Sequence, residues 1–291
     1  MDTRNLYLAA GLIVVSEIFL VLSGMIIKQL ADALPLELIV FFRNIFGLLL
    51  LTPWLLRHGR DALRTQKLHF HFMRGAIGVT AMSCLYYSWQ YLPLAEAALL
   101  KQTAPFFIPL IAFWWLGERI PVLARWSILV GFIGVLLILN PTDGTLNLAV
   151  LIALCGAMLG ATAKVTVRRM SDTESPQRIV FYFALFGSLI IAIPAISHWQ
   201  TPSLIQAGWL FAMAITSTCA QLLLSKAYGL APAGQLGPFT YASVGFAALT
   251  GWLFWQEILP LLSWAGLVLI VGAGMMALQS GRRKKANIRT A

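Results

Sequence analysis

Charge is what this chain has least of. Only 11% of its 291 residues are Asp, Glu, Lys or Arg, while 59% are hydrophobic. A water-soluble fold could not hide that much apolar surface behind so few charges. Cysteine is scarce too: Cys84, Cys155 and Cys219 fall in three different apolar stretches. An odd number of thiols buried in this way reads as small apolar residues rather than as disulfides, metal ligands or nucleophiles. Also missing are a phosphate-cradling glycine loop, a dinucleotide glycine pattern and a Ser-His-Asp arrangement with loops to hold it. Nothing therefore points to ATP hydrolysis, to a cofactor or to catalysis.

What the chain does have is long apolar runs, with a mean hydropathy of +0.80. Ten can be placed, at about 6–27, 36–56, 73–91, 95–116, 123–140, 147–167, 178–196, 204–226, 235–256 and 260–279. Each is long enough, or nearly so, to cross a hydrocarbon core of roughly 30 Å. The expectation is an all-α polytopic membrane protein with ten transmembrane helices. The first run continues to Ile27 without a short core and small-residue cleavage site, so it reads as a retained span and not as a signal peptide.

The formal net charge of +10 is distributed unevenly. With the N-terminus in the cytoplasm, most of the 21 Lys and Arg lie in or beside cytoplasmic segments, including Arg57, Arg64, Lys67, Arg74, Arg168, Arg169 and the tail Arg282-Arg283-Lys284-Lys285. The opposite loops 140–147 and 197–203 contain neither residue. This asymmetry predicts a bacterial inner-membrane protein with both termini cytoplasmic. The basic tail is then an orientation and lipid-headgroup signal and not a nucleic-acid site. His69 and His71, two apart in the longest cytoplasmic loop, fit an interfacial helix better than a metal site, lacking a nearby cysteine or carboxylate pair.

The chain also repeats itself. Sliding the second half onto the first so that Pro93 meets Pro232 brings Glu96 onto Gln235, Glu118 onto Glu257 and Pro121 onto Pro260. Five spans lie in each half, so the copies cross the membrane in opposite senses. The expected organisation is a five-helix repeat over 1–140, a second over 141–281 and a basic tail over 282–291. Inverted repeats of this kind supply inward-open and outward-open states around one midplane site.

The opening hairpin, SGMIIKQLADALPLELIVFFRNIFGLLLLTP, with Lys28 ending the first span and Arg43 inside the second, resembles the drug/metabolite transporter superfamily in its EamA branch. The segment LPLAEAALLKQTAPFFIPLIAFWWLGERIP is similar to that family's fourth span and its ending, here Gly117, Glu118 and Arg119. The likeness covers essentially the whole chain. The second repeat departs from it, with Gln256-Glu257-Ile258 where a Gly-Glu-Arg-like ending would stand, so its Glu lacks the neighbouring Arg. The resemblance implies ten helices in two inverted halves and secondary transport, and leaves the solute open.

A charge in mid-span costs on the order of 2.5 to 3.5 kcal/mol and so requires a reason. Glu17, near the middle of the first span, is a proton-coupling candidate, with an interhelical structural role as the alternative. Glu96, on the first turn of the fourth span, is a second such candidate, with helix capping as its default. Arg43 reads as the partner of Glu17 or Glu96, or as a contact for an anionic group of the solute. Lys28, at a span end, can snorkel. Lys101 lies about 7.5 Å deeper than Glu96, beside Gln102, and Pro105 leaves its carbonyl without an N–H. Lys101 and Gln102 are therefore candidate solute contacts, as is Gln235 in the repeat mate. Lys164 and Gln221 are further inward-facing candidates. Most of the Trp and Tyr fit interface belts, whereas Tyr87 and Tyr241 are candidate stacking surfaces.

These features predict a secondary active transporter of a small metabolite, such as an amino acid, nucleoside or vitamin-like solute, as a monomer or homodimer among membrane lipids. A membrane-embedded enzyme acting on a lipid or isoprenoid is the rival; it would gather its polar groups at one interface, and here they are spread over spans 1, 2, 4 and 6. A passive channel is the third reading.

Overall fold

A computed structural model describes residues 3–104, 106–107, 110–111, 122–139, 147–171, 173–231, 236, 239–258 and 260–289. Pro105, Gly117, Glu118, Arg119, Pro121, Pro232 and Gln235, singled out above, lie outside them. Among the described residues ten α-helices and one 3-10 turn, Gly59–Leu63, form the framework, and no strand occurs. The helices are α1 Thr3–Leu30, α2 Leu36–His58, α3 Leu68–Tyr91, α4 Leu94–Lys101, α5 Val122–Leu139, α6 Leu148–Met170, α7 Pro176–Ser197, α8 Leu204–Leu230, α9 Ala242–Trp255 and α10 Leu261–Arg289.

Their starts follow from local chemistry. Pro35 and Pro93 stand in extended conformation just before α2 and α4, where a missing N–H costs no helical bond. Asn147 caps α6 by accepting from the Ala149 N–H. Ser175 caps α7 ahead of Pro176. Ser203 and Gln206 form a reciprocal capping box at α8, which satisfies two N–H groups that no carbonyl of the helix can reach.

Among the described residues, α2, α7, α8 and the parts Tyr7–Leu30 of α1 and Leu148–Val167 of α6 are long and apolar enough to cross a membrane. Ile128–Leu137, Ala242–Trp255 and Leu261–Ala273 are shorter apolar helices. α3 is 24 residues long but carries His69, His71, Arg74 and several hydroxyls, which dilute its apolar character.

α4 stops at Lys101, and Gln102 and Thr103 form a turn before helix resumes at Ala104. The Pro105 side chain chemistry accounts for this, because a proline there offers no N–H to the Lys101 carbonyl. Thr103 Oγ1 instead donates to the Leu100 carbonyl at 2.7 Å. The repeat mate behaves alike: Thr240 is helical, Tyr241 is a turn, and α9 starts at Ala242.

The packing pairs off under exchange of the halves. α1 lies along α8 and α3 along α6, while α2 packs on α7, α4 on α9 and α5 on α10. Substituting α6–α10 for α1–α5 turns the α1–α8 pair into the α6–α3 pair and maps the other three onto themselves. Gly24 lets α1 approach α3 closely, since a Cβ there would sit 2.9 Å from the Trp89 ring.

Candidate functional site

The two broken helices meet at their breaks. Gln102 Nε2 donates to the Thr240 carbonyl at 2.8 Å and to Ser243 Oγ at 2.9 Å, and Thr240 Oγ1 donates back to Gln102 Oε1 at 2.9 Å. Gln102 is thus committed to joining α4 to α9, and its side chain does not line the cavity beside them.

That cavity opens next to the break, among α1, α2, α3, α4, α6, α7 and α8. Arg43, Arg74, Lys101 and Lys164 line it, with Tyr86, Phe183, Ser217 and Gln221 and a surround of Ala, Gly, Leu and Met. Glu17 is 1% exposed and accepts from Lys101 Nζ at 2.6 Å. Lys101, on the last turn of α4, thereby reaches the middle of α1. Removing one partner of such a buried pair typically costs about 3–5 kcal/mol, because the other charge is left uncompensated. Lys164 lies near enough to feel both charges.

Arg43 is 1% exposed and Arg74 7% exposed. Arg43 Nε donates to Ser217 Oγ at 3.1 Å and Nη1 to Asn44 Oδ1 at 2.9 Å, with the Tyr86 hydroxyl beside it. Arg74 Nη2 donates to Gln221 Oε1 at 3.4 Å. Both guanidiniums face the Phe183 ring, at 5.1 and 4.2 Å from its centroid. Each cation–π contact contributes about 2 kcal/mol when desolvated. The two charges are then at most about 9 Å apart, and repel by about 2 kcal/mol at an effective dielectric of 20. Arg43 Nη2 and Arg74 Nε remain buried without a hydrogen-bond partner.

The pairing expected of Arg43 with Glu17 or Glu96 is absent. Lys101 occupies Glu17, and Glu96 Oε1 accepts from Ser263 Oγ at 2.7 Å, tying α4 to the start of α10. Tyr87 packs against the Tyr91 ring with centroids 4.5 Å apart, and the Tyr241 hydroxyl donates to the Ile270 carbonyl at 3.3 Å. Neither lines the cavity; Tyr86, one residue earlier, does. By its place after a basic stretch, Arg74 reads as one of the loop charges. Six residues into α3, next to Gly75 and Gly78, it is buried instead, and those glycines were the available signal. A Cβ on Gly78 would collide with the Arg74 guanidinium and the Phe183 ring.

Two clusters flank the cavity. In one, Lys28 at the end of α1 pairs with Glu257 and takes the place of the local arginine that Glu257 lacks. Its Oε2 also accepts from the Leu94 N–H at 2.9 Å, and Lys28 Nζ donates to the Leu92 carbonyl at 3.4 Å. Lys28 is therefore engaged and does not merely snorkel. In the other cluster, Glu174 in the α6–α7 turn accepts from Thr65 Oγ1 at 2.7 Å and from Arg178 Nη1 at 3.0 Å, with His71 Nε2 at 3.5 Å. Burial alone would push the Glu174 carboxyl up, but hydrogen bonds from Thr65 and Arg178 and the charge of Arg178 hold it below its ordinary value. Burial pushes His71 below its ordinary value, outweighing the pull of Glu174, so the imidazole is neutral.

The model of the EamA-like transporter family matches residues 7–140 and again residues 147–278. The chain is 34% identical over 251 residues to the pseudopaline exporter CntI of Pseudomonas aeruginosa (strain UCBPP-PA14), covering 85% of this chain and 88% of that one. It is 30% identical over 243 residues to a riboflavin transporter of Vibrio cholerae serotype O1, covering 82% and 81% of the two. An S-adenosylmethionine uptake transporter of Rickettsia bellii is 24% identical over 257 residues, 88% of each chain. A crystal structure of a protein 18% identical in sequence superposes with a TM-score of 0.64 over 97% of this chain and 99% of that one; it shares the fold.

Proposed function

The chain belongs to the EamA-like transporter family, and on that footing we propose that it is a secondary active transporter working by alternating access. It is a membrane transporter and not an enzyme, as its named relatives are transporters and exporters. The proposed architecture is ten spans in two inverted five-helix halves, residues 1–140 and 141–281, with both termini and the basic tail 282–291 on the cytoplasmic side of a bacterial inner membrane. Its solute is a small metabolite in the size range of those that the relatives' names record. The cavity holds the solute, with Lys101 and Arg43 as contacts and Glu17 as the proton-exchanging carboxylate.

The observation that carries this reading is the duplication itself. Two consecutive family matches and a set of helix contacts that survives exchange of the halves support the reading of two halves that trade conformations. The Lys28–Glu257 and Glu174–Arg178 clusters then sit on opposite sides of the cavity and are made and broken in turn.

The test is flux into proteoliposomes across a metabolite panel, with and without a proton gradient. Saturable uptake that competes between solutes is expected. Absence of flux for the whole panel contradicts the proposal, and unitary single-channel currents would identify a passive pore.

A further inference from the structure

Four cationic side chains line the cavity, and the one carboxylate beside them is already taken. Glu17 is held by Lys101. Arg43, Arg74 and Lys164 have no acidic partner among the described residues. The other buried or half-buried acids of the described residues are engaged elsewhere, Glu37 by His198, Glu96 by Ser263, Glu174 by Arg178 and Glu257 by Lys28.

A guanidinium cannot relieve burial by losing its proton, unlike a lysine or histidine. Two of them, stacked on one ring with Arg43 Nη2 and Arg74 Nε buried and unpartnered, form a planar donor set that fits oxyanions. Lys164 and Lys101 line the same cavity along α6 and α4. Between these cationic groups the wall is apolar, built of Leu20, Met82, Leu85 and small residues. Charge at separate points with carbon-compatible surface between them suits an organic anion better than a compact inorganic one.

We infer that the cavity is a binding site for an organic polycarboxylate, one carboxylate seated on Arg43 and Arg74 and a second directed to Lys164. This rests on the transporter reading and narrows its solute class. Phe183 lies within cation–π distance of both guanidiniums and anchors them beside the cavity. Gly78 leaves the space into which Arg74 folds.

The test is thermal unfolding of the purified full-length protein in detergent at fixed ionic strength, with succinate, citrate and tricarballylate against acetate, inorganic phosphate and choline. A ligand that binds only the folded state raises the melting temperature in proportion to ln(1 + [L]/Kd). At least one polycarboxylate should raise it while acetate and choline do not. Arg43→Gln and Arg74→Gln should each weaken that ligand tenfold or more, Arg43→Lys and Arg74→Lys by less, and Lys226→Gln, outside the cavity, should leave it unchanged. If the glutamine variants do not fold, the lysine variants and the wild-type panel decide. A panel in which no polycarboxylate exceeds acetate overturns the inference, as does a phosphate shift equal to the best polycarboxylate or binding of choline alone. Flux of a neutral or cationic solute without polycarboxylate binding would sink this inference while leaving transport standing. Polycarboxylate binding with no flux of any solute would do the reverse.

Discussion

Lys101 Nζ donates to Glu17 Oε2 at 2.6 Å, from the last turn of the broken helix α4 to the middle of α1. Each residue alone would be a mid-membrane charge, and together they are a compensated pair. Lys101→Met and Glu17→Gln should each lower the melting temperature in detergent, by an amount equivalent to about 3–5 kcal/mol. The double variant Glu17→Gln/Lys101→Met should recover part of the loss, with a coupling of about 0.5–3 kcal/mol. Additive losses would show that the pair is not energetically joined.

The same double variant separates folding from coupling. It should keep a folded protein that still carries solute, more weakly for want of the Lys101 contact, yet lose acceleration by a proton gradient, because no carboxylate remains beside the cavity to exchange the proton. Gradient-driven uptake at the wild-type rate in proteoliposomes would remove Glu17 from the coupling step.

How far these features could be read from the sequence differs from residue to residue. The helix start after Pro93 and the break four residues before Pro105 depend on chemistry within a few positions and were legible; the caps at Ser203 and Ser175 rest on chemistry of the same range. Glu17 and Lys101 were each conspicuous as intramembrane charges, but their pairing depends on how α1 crosses α4. The same holds for Glu257, whose cation is 229 positions away at Lys28. Arg74 was hidden by its neighbours, since a basic loop leads into α3 and charge alone does not reveal where the loop ends. Gln102 was conspicuous for the right reason, a polar group at a helix break, but the break of α9 consumes it.

Acidification should weaken the cluster around Glu174. The His71 imidazole, held below its ordinary 6.5, stays neutral in the folded protein while the unfolded chain takes up a proton. Stability is therefore fully present above that value and falls as the pH drops below it. Glu174, held below its ordinary 4.5, adds a second loss as the pH falls from there through its folded value. Melting temperature recorded from pH 8 to 4 should decline on the acid side. His71→Phe should flatten the upper part of the decline and Glu174→Gln the lower. A decline unchanged in both variants would place the sensitive groups elsewhere.

Gly78→Ala should displace Arg74 from Phe183. The added methyl would meet the guanidinium and the ring, for which overpacking of about 1–3 kcal/mol is expected. The loss should appear chiefly as weaker ligand binding and less as a lower melting temperature, since Arg74 can swing into the cavity. Unaltered binding would show that Arg74 does not hold the ligand from its present position.

Glu257→Gln should loosen the junction of α1, α4 and α9, because a neutral amide no longer pairs with Lys28, at a cost of about 1–3 kcal/mol. Hydrogen exchange at the Leu94 amide, now bonded to Glu257 Oε2, should accelerate. Exchange at the wild-type rate would mean that the carboxylate is not what closes this side.

Alternating access is tested most directly by distances on both sides of the cavity at once. Spin labels at the exposed positions Ala33 and Ile258 report on the Lys28–Glu257 side, and labels at Gln66 and Thr173 on the Glu174 side. After replacement of the three native cysteines, pulsed electron paramagnetic resonance should give two populations for each pair. Changing pH or adding ligand should lengthen one distance as it shortens the other. A single unchanging distance on both sides, in a protein that still carries solute in proteoliposomes, would contradict the account.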